Sequence, residues 1–98
     1  KIYINRGNVY HQTKNYVTAL ADYDKALELA NVPLDIVHYN RSLALIRLKR
    51  WDDALDALQA ALAINPESDR VQRKLDQLNA QKEKLSTTAV KPGDNLNQ

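Results

Sequence analysis

Apolar positions recur at helical spacing in five segments of this chain. In "YVTALADYDKALELA", Tyr16, Leu20, Tyr23, Leu27 and Ala30 fall three or four residues apart, the period of a helix face and not of a strand. "KIYINRGNVYHQ" precedes it, and "PLDIVHYNRSLALIRL" and "WDDALDALQAALAI" follow, each read as a further helix. A fifth segment, "ESDRVQRKLDQLNAQKEKLS", carries Val71, Leu75 and Leu78 on one stripe and charge on nearly every other face. The breaks carry their own signals. Asn15 suits an N-cap, Pro33 can open a helix without losing a needed N–H, and Asp52 and Asp53 favour the positive end of the next helix dipole. Asn65 reads as a cap with Pro66 as first helical residue. From Ser86 to Gln98, "STTAVKPGDNLNQ" has no periodicity and is expected to be a disordered tail or linker.

The first four segments are two copies of one pattern. At an offset of 35 residues, Asn5-Arg6-Gly7 meets Asn40-Arg41-Ser42, Tyr10 meets Leu45 and Tyr16 meets Trp51. Ala19 meets Ala54, Tyr23 meets Leu58, Ala26 meets Ala61 and Leu27 meets Leu62. Small falls on small and large on large, so packing roles repeat. Gly7 fits this account. A helical Gly costs roughly 1 kcal/mol relative to Ala and is tolerated where another helix must come close, here with Ala19 and Tyr23 as expected neighbours. Ser42 has the same place against Ala54 and Leu58. Two helices on a short turn form an antiparallel hairpin, and neither hairpin buries its apolar face alone, so the two stack.

Composition agrees. Phe, Met and Cys are absent, and only two Gly and three Pro interrupt the 98 residues, as suits an all-helical chain. A complete translation product begins with Met, so the chain reads as an excised domain or processed fragment. Without Cys there is no disulfide framework, thiolate zinc site or cysteine nucleophile. The compartment is left open by this, with the cytoplasm slightly favoured. No run is long and apolar enough to cross a bilayer. A net charge of +2 is too small to argue for nucleic acid, which would also want aromatics interleaved with the basic residues.

These residues resemble the tetratricopeptide repeat family, whose pattern runs large, Leu-Gly, Tyr, Ala, aromatic, Ala, Pro over about 34 residues. The first copy supplies Tyr3, Gly7, Tyr10, Ala19, Tyr23 and Ala26, with its Pro displaced to Pro33. The second supplies Ala54, Ala61 and Pro66, with Ser42 in the Gly place, Leu45 and Leu58 in aromatic places, and His38 in that of the leading aromatic. Arg6 and Arg41 stand where the family has Leu. The resemblance implies two helical-hairpin repeats, residues 1–33 and 34–66, stacked as a right-handed α-solenoid. A capping helix over 67–85 ends the stack, and the tail 86–98 follows.

In such arrays the first helix of each pair lines a concave groove. That carry-over puts Lys1, Ile4, Asn5, Asn8, His11 and Gln12 there from the first copy, and Ile36, Tyr39, Asn40, Leu43, Ile46 and Arg47 from the second. Arg70, Arg73, Lys74, Gln77 and Gln81 come from the capping helix. All charges in this set are positive, while the acids sit mainly on the outer helices, at Asp22, Asp24, Glu28, Asp52, Asp53 and Asp56. Part of the set resembles the carboxylate clamp with which some members hold the C-terminal Glu-Glu-Val-Asp of cytosolic heat-shock chaperones. The clamp places are taken by Ile4, Asn8, Asn40, Arg70 and Lys74. Ile4 departs from the clamp's Lys, and Lys1 lies one turn away.

The implied function is a non-catalytic, co-chaperone-like scaffold that binds an extended, acidic or C-terminal peptide. Asn5, Asn8 and Asn40 would hydrogen-bond the peptide, Arg47, Arg70, Arg73 and Lys74 would attract it, and Ile4, Tyr39 and Leu43 would form apolar pockets. The alternative is an assembly module that self-associates or docks within a larger protein. No nucleophile constellation or Gly-rich phosphate loop argues for an enzyme. His11 and His38 lie at opposite ends of neighbouring helices, which is poor for a shared metal, and no cofactor is expected. His38 reads as a packing residue with a satisfied ring nitrogen, and Trp51 as core.

Overall fold

The computed structural model describes residues 2–31 and 33–96, with side chains described as far as Leu85. Among the described residues there are five helices: α1 (Ile2–Gln12), α2 (Tyr16–Leu29), α3 (Asp35–Arg47), α4 (Trp51–Ile64) and α5 (Asp69–Leu96). The all-α class expected from the sequence is the class observed, with no strand among the described residues. Lys1, expected near the site, lies outside the described residues. The backbone of α5 continues to Leu96, but the side chains of the expected tail 86–98 lie outside them too.

The two hairpins turn in the same way because their turns are chemically equivalent. After α1, Lys14 N–H reaches His11 O at 3.0 Å and Asn15 N–H reaches Tyr10 O at 2.8 Å. Thirty-five residues on, Lys49 N–H reaches Ile46 O at 2.9 Å and Arg50 N–H reaches Leu45 O at 2.9 Å. This pairing closes a helix through a left-handed residue. Lys14 (φ 67°) and Lys49 (φ 61°) are the positive-φ residues among those described, in a place that usually takes Gly.

Three helix starts differ from expectation. Asn15 does occupy the N-cap of α2 and its carbonyl accepts from Ala19 N–H at 2.9 Å. Its side chain, however, turns away and donates to Thr13 Oγ1 at 3.0 Å, so it caps nothing. Pro33 precedes α3, whose N-cap is Leu34. Asn65 closes α4 instead of opening α5, its N–H bonding Ala61 O at 2.9 Å. Ser68 caps α5, its Oγ accepting from Val71 N–H at 3.3 Å. Hydroxyl capping near the N-terminus is worth about 1 kcal/mol, and it displaces the start from Pro66 to Asp69.

The helices pack in chain order, α1 on α2, α2 on α3, α3 on α4 and α4 on α5. Small residues permit this. Ala19, Ala44, Ala54 and Ala61 are wholly buried, so backbones approach across Cβ atoms. The larger cluster joins Leu20 of α2 to Ala44 and Leu45 of α3, to Leu58 of α4, and to Val71, Leu75 and Leu78 of α5. The apolar stripe of α5 is thus sunk into the second hairpin, as its spacing predicted. A smaller cluster, Ala19, Tyr23 and Ala26 with Val37 of α3, holds the first hairpin to the second.

Gly7 is buried where α1 crosses α2. A Cβ there would lie 2.7 Å from Tyr23 Cε1, 3.0 Å from Tyr23 Cδ1 and 3.3 Å from Asp22 Cβ. Tyr23 is the expected neighbour, and Asp22 takes the position expected for Ala19 among these nearest contacts.

Candidate functional site

The two Arg residues in Leu places are structural. Arg6 Nε and Nη2 grip Asp22 at 2.9 and 2.8 Å, a two-pronged contact between α1 and α2. Asp22 is buried. The hydrogen bonds from Arg6 hold its carboxyl below the usual carboxylate range against the opposing effect of burial. Arg41 instead crosses hairpins, its Nε reaching Asp24 of α2 at 2.6 Å. On the other side of the second turn, Arg50 pairs with Asp53, and Lys82 of α5 pairs with Asp52.

What remains is a surface shared by α1, α3 and α5. Asn8 Oδ1 accepts the Tyr23 hydroxyl at 2.6 Å and Asn40 Nδ2 at 3.3 Å. Burial, and next the charge of Asp22, push the Tyr23 phenol up, which keeps it a donor. With its oxygen doubly engaged, Asn8 has its amide nitrogen left without a partner among the described residues. Asn8, Asn40, Tyr23, Leu43, His11 and Gln12 line a cavity of about 250 Å³. One polar hub, built from both hairpins, therefore presents donors to a small open space.

A second cavity of about 430 Å³ adjoins the first and shares His11 and Leu43 with it. Arg47, Lys49, Trp51 and Lys74 line it, with Ile46 and Gln81. His11 packs edge-on against Tyr16 with ring centres 5.1 Å apart, and its Nδ1 is buried without a partner. Burial first, and the nearby Arg47 charge second, lower its pKa from 6.5. A third, smaller space between the start of α3 and that of α5 is lined by Asp35, Tyr39, Asn65 and Arg70. There the Arg70 guanidinium stacks 5.4 Å from the centre of the Tyr39 ring.

The residues singled out from sequence thus divide into groups. Asn8, Asn40 and Leu43 come together in the first cavity, Leu43, Arg47 and Lys74 in the second, and Tyr39 and Arg70 in the third. Asn5 and Arg73 are exposed and line none of these spaces. Ile4 packs on the cluster of Ala19, Tyr23 and Val37, so the clamp's cation is replaced by a wall residue. Sequence reasoning missed the hydroxyl of Tyr23, although in a Phe-free chain each buried Tyr raises the question of its O–H partner. It missed Lys49 as well, and it treated Trp51 as core. The indole does pack against the core, but it is only half-buried and lines the second cavity. His38 is half-buried too, and its ring makes no hydrogen bond to protein among the described residues. Burial, then Arg41, lower its pKa from 6.5.

Hairpins of this geometry, joined by equivalent turns and packed in order, define a helical-repeat protein. Residues 1–67 match the family model of the tetratricopeptide repeat, and the chain belongs to that family. It is similar to the heat shock protein STI1 of Saccharomyces cerevisiae, with 33% identity over 64 residues. That match takes in 65% of this chain and 11% of the yeast protein, so the chain spans about a tenth of the relative it resembles. Membership makes it a protein–protein interaction module of a typically non-catalytic family. Among the described residues, no helix is long and apolar enough to cross a membrane.

Proposed function

We propose that the surface shared by α1, α3 and α5 is a peptide-binding groove for an extended segment bearing carboxylates, a C-terminal one included. The observation that carries this reading is the Asn8 hub. Tyr23 and Asn40 occupy its oxygen, leaving N–H groups to meet an incoming carboxylate or peptide carbonyl. Arg47 and Lys74 border the next cavity, and neither has a carboxylate partner among the described residues, so their field is free to attract acids. Asn5 and Arg73, exposed beside this surface, contribute at its rim, Tyr39 and Arg70 form the stacked edge near the start of α3, and Leu43 supplies the apolar floor between cavities. The partner is a protein, and the role is that of a scaffold without catalysis. On this reading residues 1–33 and 34–66 are the two repeats and α5 caps them. Asn40→Ala and Lys74→Ala should each weaken binding of an acidic peptide several-fold. If both leave the affinity for every peptide that binds unchanged, the groove reading fails.

A second reading has its own observation. Ile2 and Val9, two turns apart on α1, are 76% and 55% exposed, more than scattered surface residues require. On this reading α1 docks against another helical hairpin or another copy, and the chain is an assembly module. Sedimentation across a hundredfold concentration range separates the two, since only this reading predicts an oligomer that Val9→Lys abolishes.

A further inference from the structure

The turn between α3 and α4 divides its charges unequally. On one side, in a cavity lined by Lys49, Arg50, Trp51, Asp52, Asp53 and Lys82, the Arg50–Asp53 and Lys82–Asp52 pairs cancel and leave only the charge of Lys49, which lines both sides. On the other side, Arg47, Lys49 and Lys74 surround the indole of Trp51 and Leu43 with no acid in the lining. None of these three cations has a carboxylate partner among the described residues. They come from α3, from a backbone-locked turn and from α5, so their convergence is a product of the fold. Lys49 is fixed at positive φ by the two turn hydrogen bonds, and this aims its stem from a rigid base. Like charges gathered around an apolar floor are unfavourable until an anion joins them.

We infer that this cavity is a second, side-chain subsite, which takes the carboxylate of an internal Glu or Asp of the same peptide while the Asn8 hub holds its backbone or terminus. The inference rests on the groove reading and extends it to residues outside it, Lys49 and Trp51. Because His11 and Leu43 line both cavities, hub and subsite are neighbours, within reach of one extended ligand. At about 430 Å³ the space takes a whole side chain, with the methylenes on Trp51 and Leu43 and the carboxylate among the cations. A peptide with acids only at its terminus would fill the hub and leave the subsite uncompensated.

The test uses the full chain and two acetylated hexapeptides that end in a free Asp carboxylate. One alternates Glu with Ala upstream, and the other has Gln for each Glu. Trp51 is the sole tryptophan, so its emission reports any change beside the indole that lines this cavity. The Glu peptide should bind about five- to tenfold more tightly than the Gln peptide, as expected for one charge-assisted contact, and it alone should shift Trp51 emission substantially. Lys49→Gly keeps the turn, since Gly suits positive φ, and should erase most of the Glu preference while leaving the Gln peptide's affinity in place. Equal binding of both peptides to the wild type, or a Glu preference undiminished in Lys49→Gly, overturns the subsite and leaves the groove standing. No binding of either peptide overturns the groove reading and the subsite with it.

Discussion

Replacing Gly7 by Ala sets two known effects against each other at one atom. In an open helix the change gains roughly 1 kcal/mol from the better helix former. Here the new Cβ arrives 2.7 Å from Tyr23 Cε1 and 3.0 Å from Cδ1, well inside the 3.5–4.0 Å at which carbon atoms attract. The ring cannot swing aside easily, because Tyr23 is 1% exposed and its hydroxyl is tethered to Asn8. Overpacking of this kind costs about 1–3 kcal/mol, and displacing the ring forfeits a hydrogen bond worth about 1 kcal/mol. The net expectation is a loss of about 1–3 kcal/mol, or roughly 4–24 °C in Tm for a domain of this size. Urea denaturation followed by far-ultraviolet circular dichroism reads it as a lower midpoint at unchanged slope. A companion variant sharpens the argument. Gly7→Ser with Tyr23→Leu reproduces the pair that the second hairpin carries at Ser42 and Leu58, and should recover most of what Gly7→Ser alone loses. A Gly7→Ala protein as stable as wild type, or more so, would mean that helix propensity outweighs the crossing and that the close approach at Gly7 is not what holds α1 to α2.

Other consequences are smaller and separable. Tyr23→Phe keeps the packing and removes the donor to Asn8; it should cost about 1 kcal/mol and weaken acidic-peptide binding, because the Asn8 amide is then free to turn. Lys14→Gly relieves a left-handed residue that costs about 1–2 kcal/mol against the entropy Gly adds to the unfolded chain, so it should raise the thermal midpoint slightly, and a lowered midpoint would count against the turn geometry. Stability should also fall in two stages on acidification. His11 and His38 have folded-state pKa values lowered below 6.5, so the unfolded chain binds more protons as pH drops through 6.5, and stability declines below that point. Asp22, lowered from 3.8, contributes stability that is complete above its unfolded value and disappears as pH falls through the folded one. Urea midpoints measured from pH 8 to pH 3 in wild type and His11→Gln should show the upper stage reduced in the variant.

The helices were legible because their cause is local. Spacing of Tyr16, Leu20, Tyr23 and Leu27 fixes a face, and the coincidence of Gly7 with Ser42 marks the crossing. Helix starts were less legible, because Pro33 and Pro66 suit the residues just before a helix as well as its first turn, and only competition with Ser68 decides. Asn8 and Asn40 could be found because the repeat places them in register. The charge pattern could be read only by face. Which cations are spent is a tertiary matter: Arg41 reaches across to Asp24 and Lys82 to Asp52, pairs separated by 17 and 30 residues, while Arg47 and Lys74 are left over. Lys49 escaped notice because nothing in a turn lysine's neighbours along the chain reveals the Trp51 and Lys74 that fold places beside it.

The groove itself is tested most directly by titrating the domain with acidic C-terminal peptides, each beside its C-terminally amidated form, at low and high salt. The account predicts saturable binding by the free acids, weakened by salt as exposed charges are screened and lost or much reduced on amidation. Equal affinity for acid and amide, or binding indifferent to salt, would contradict it.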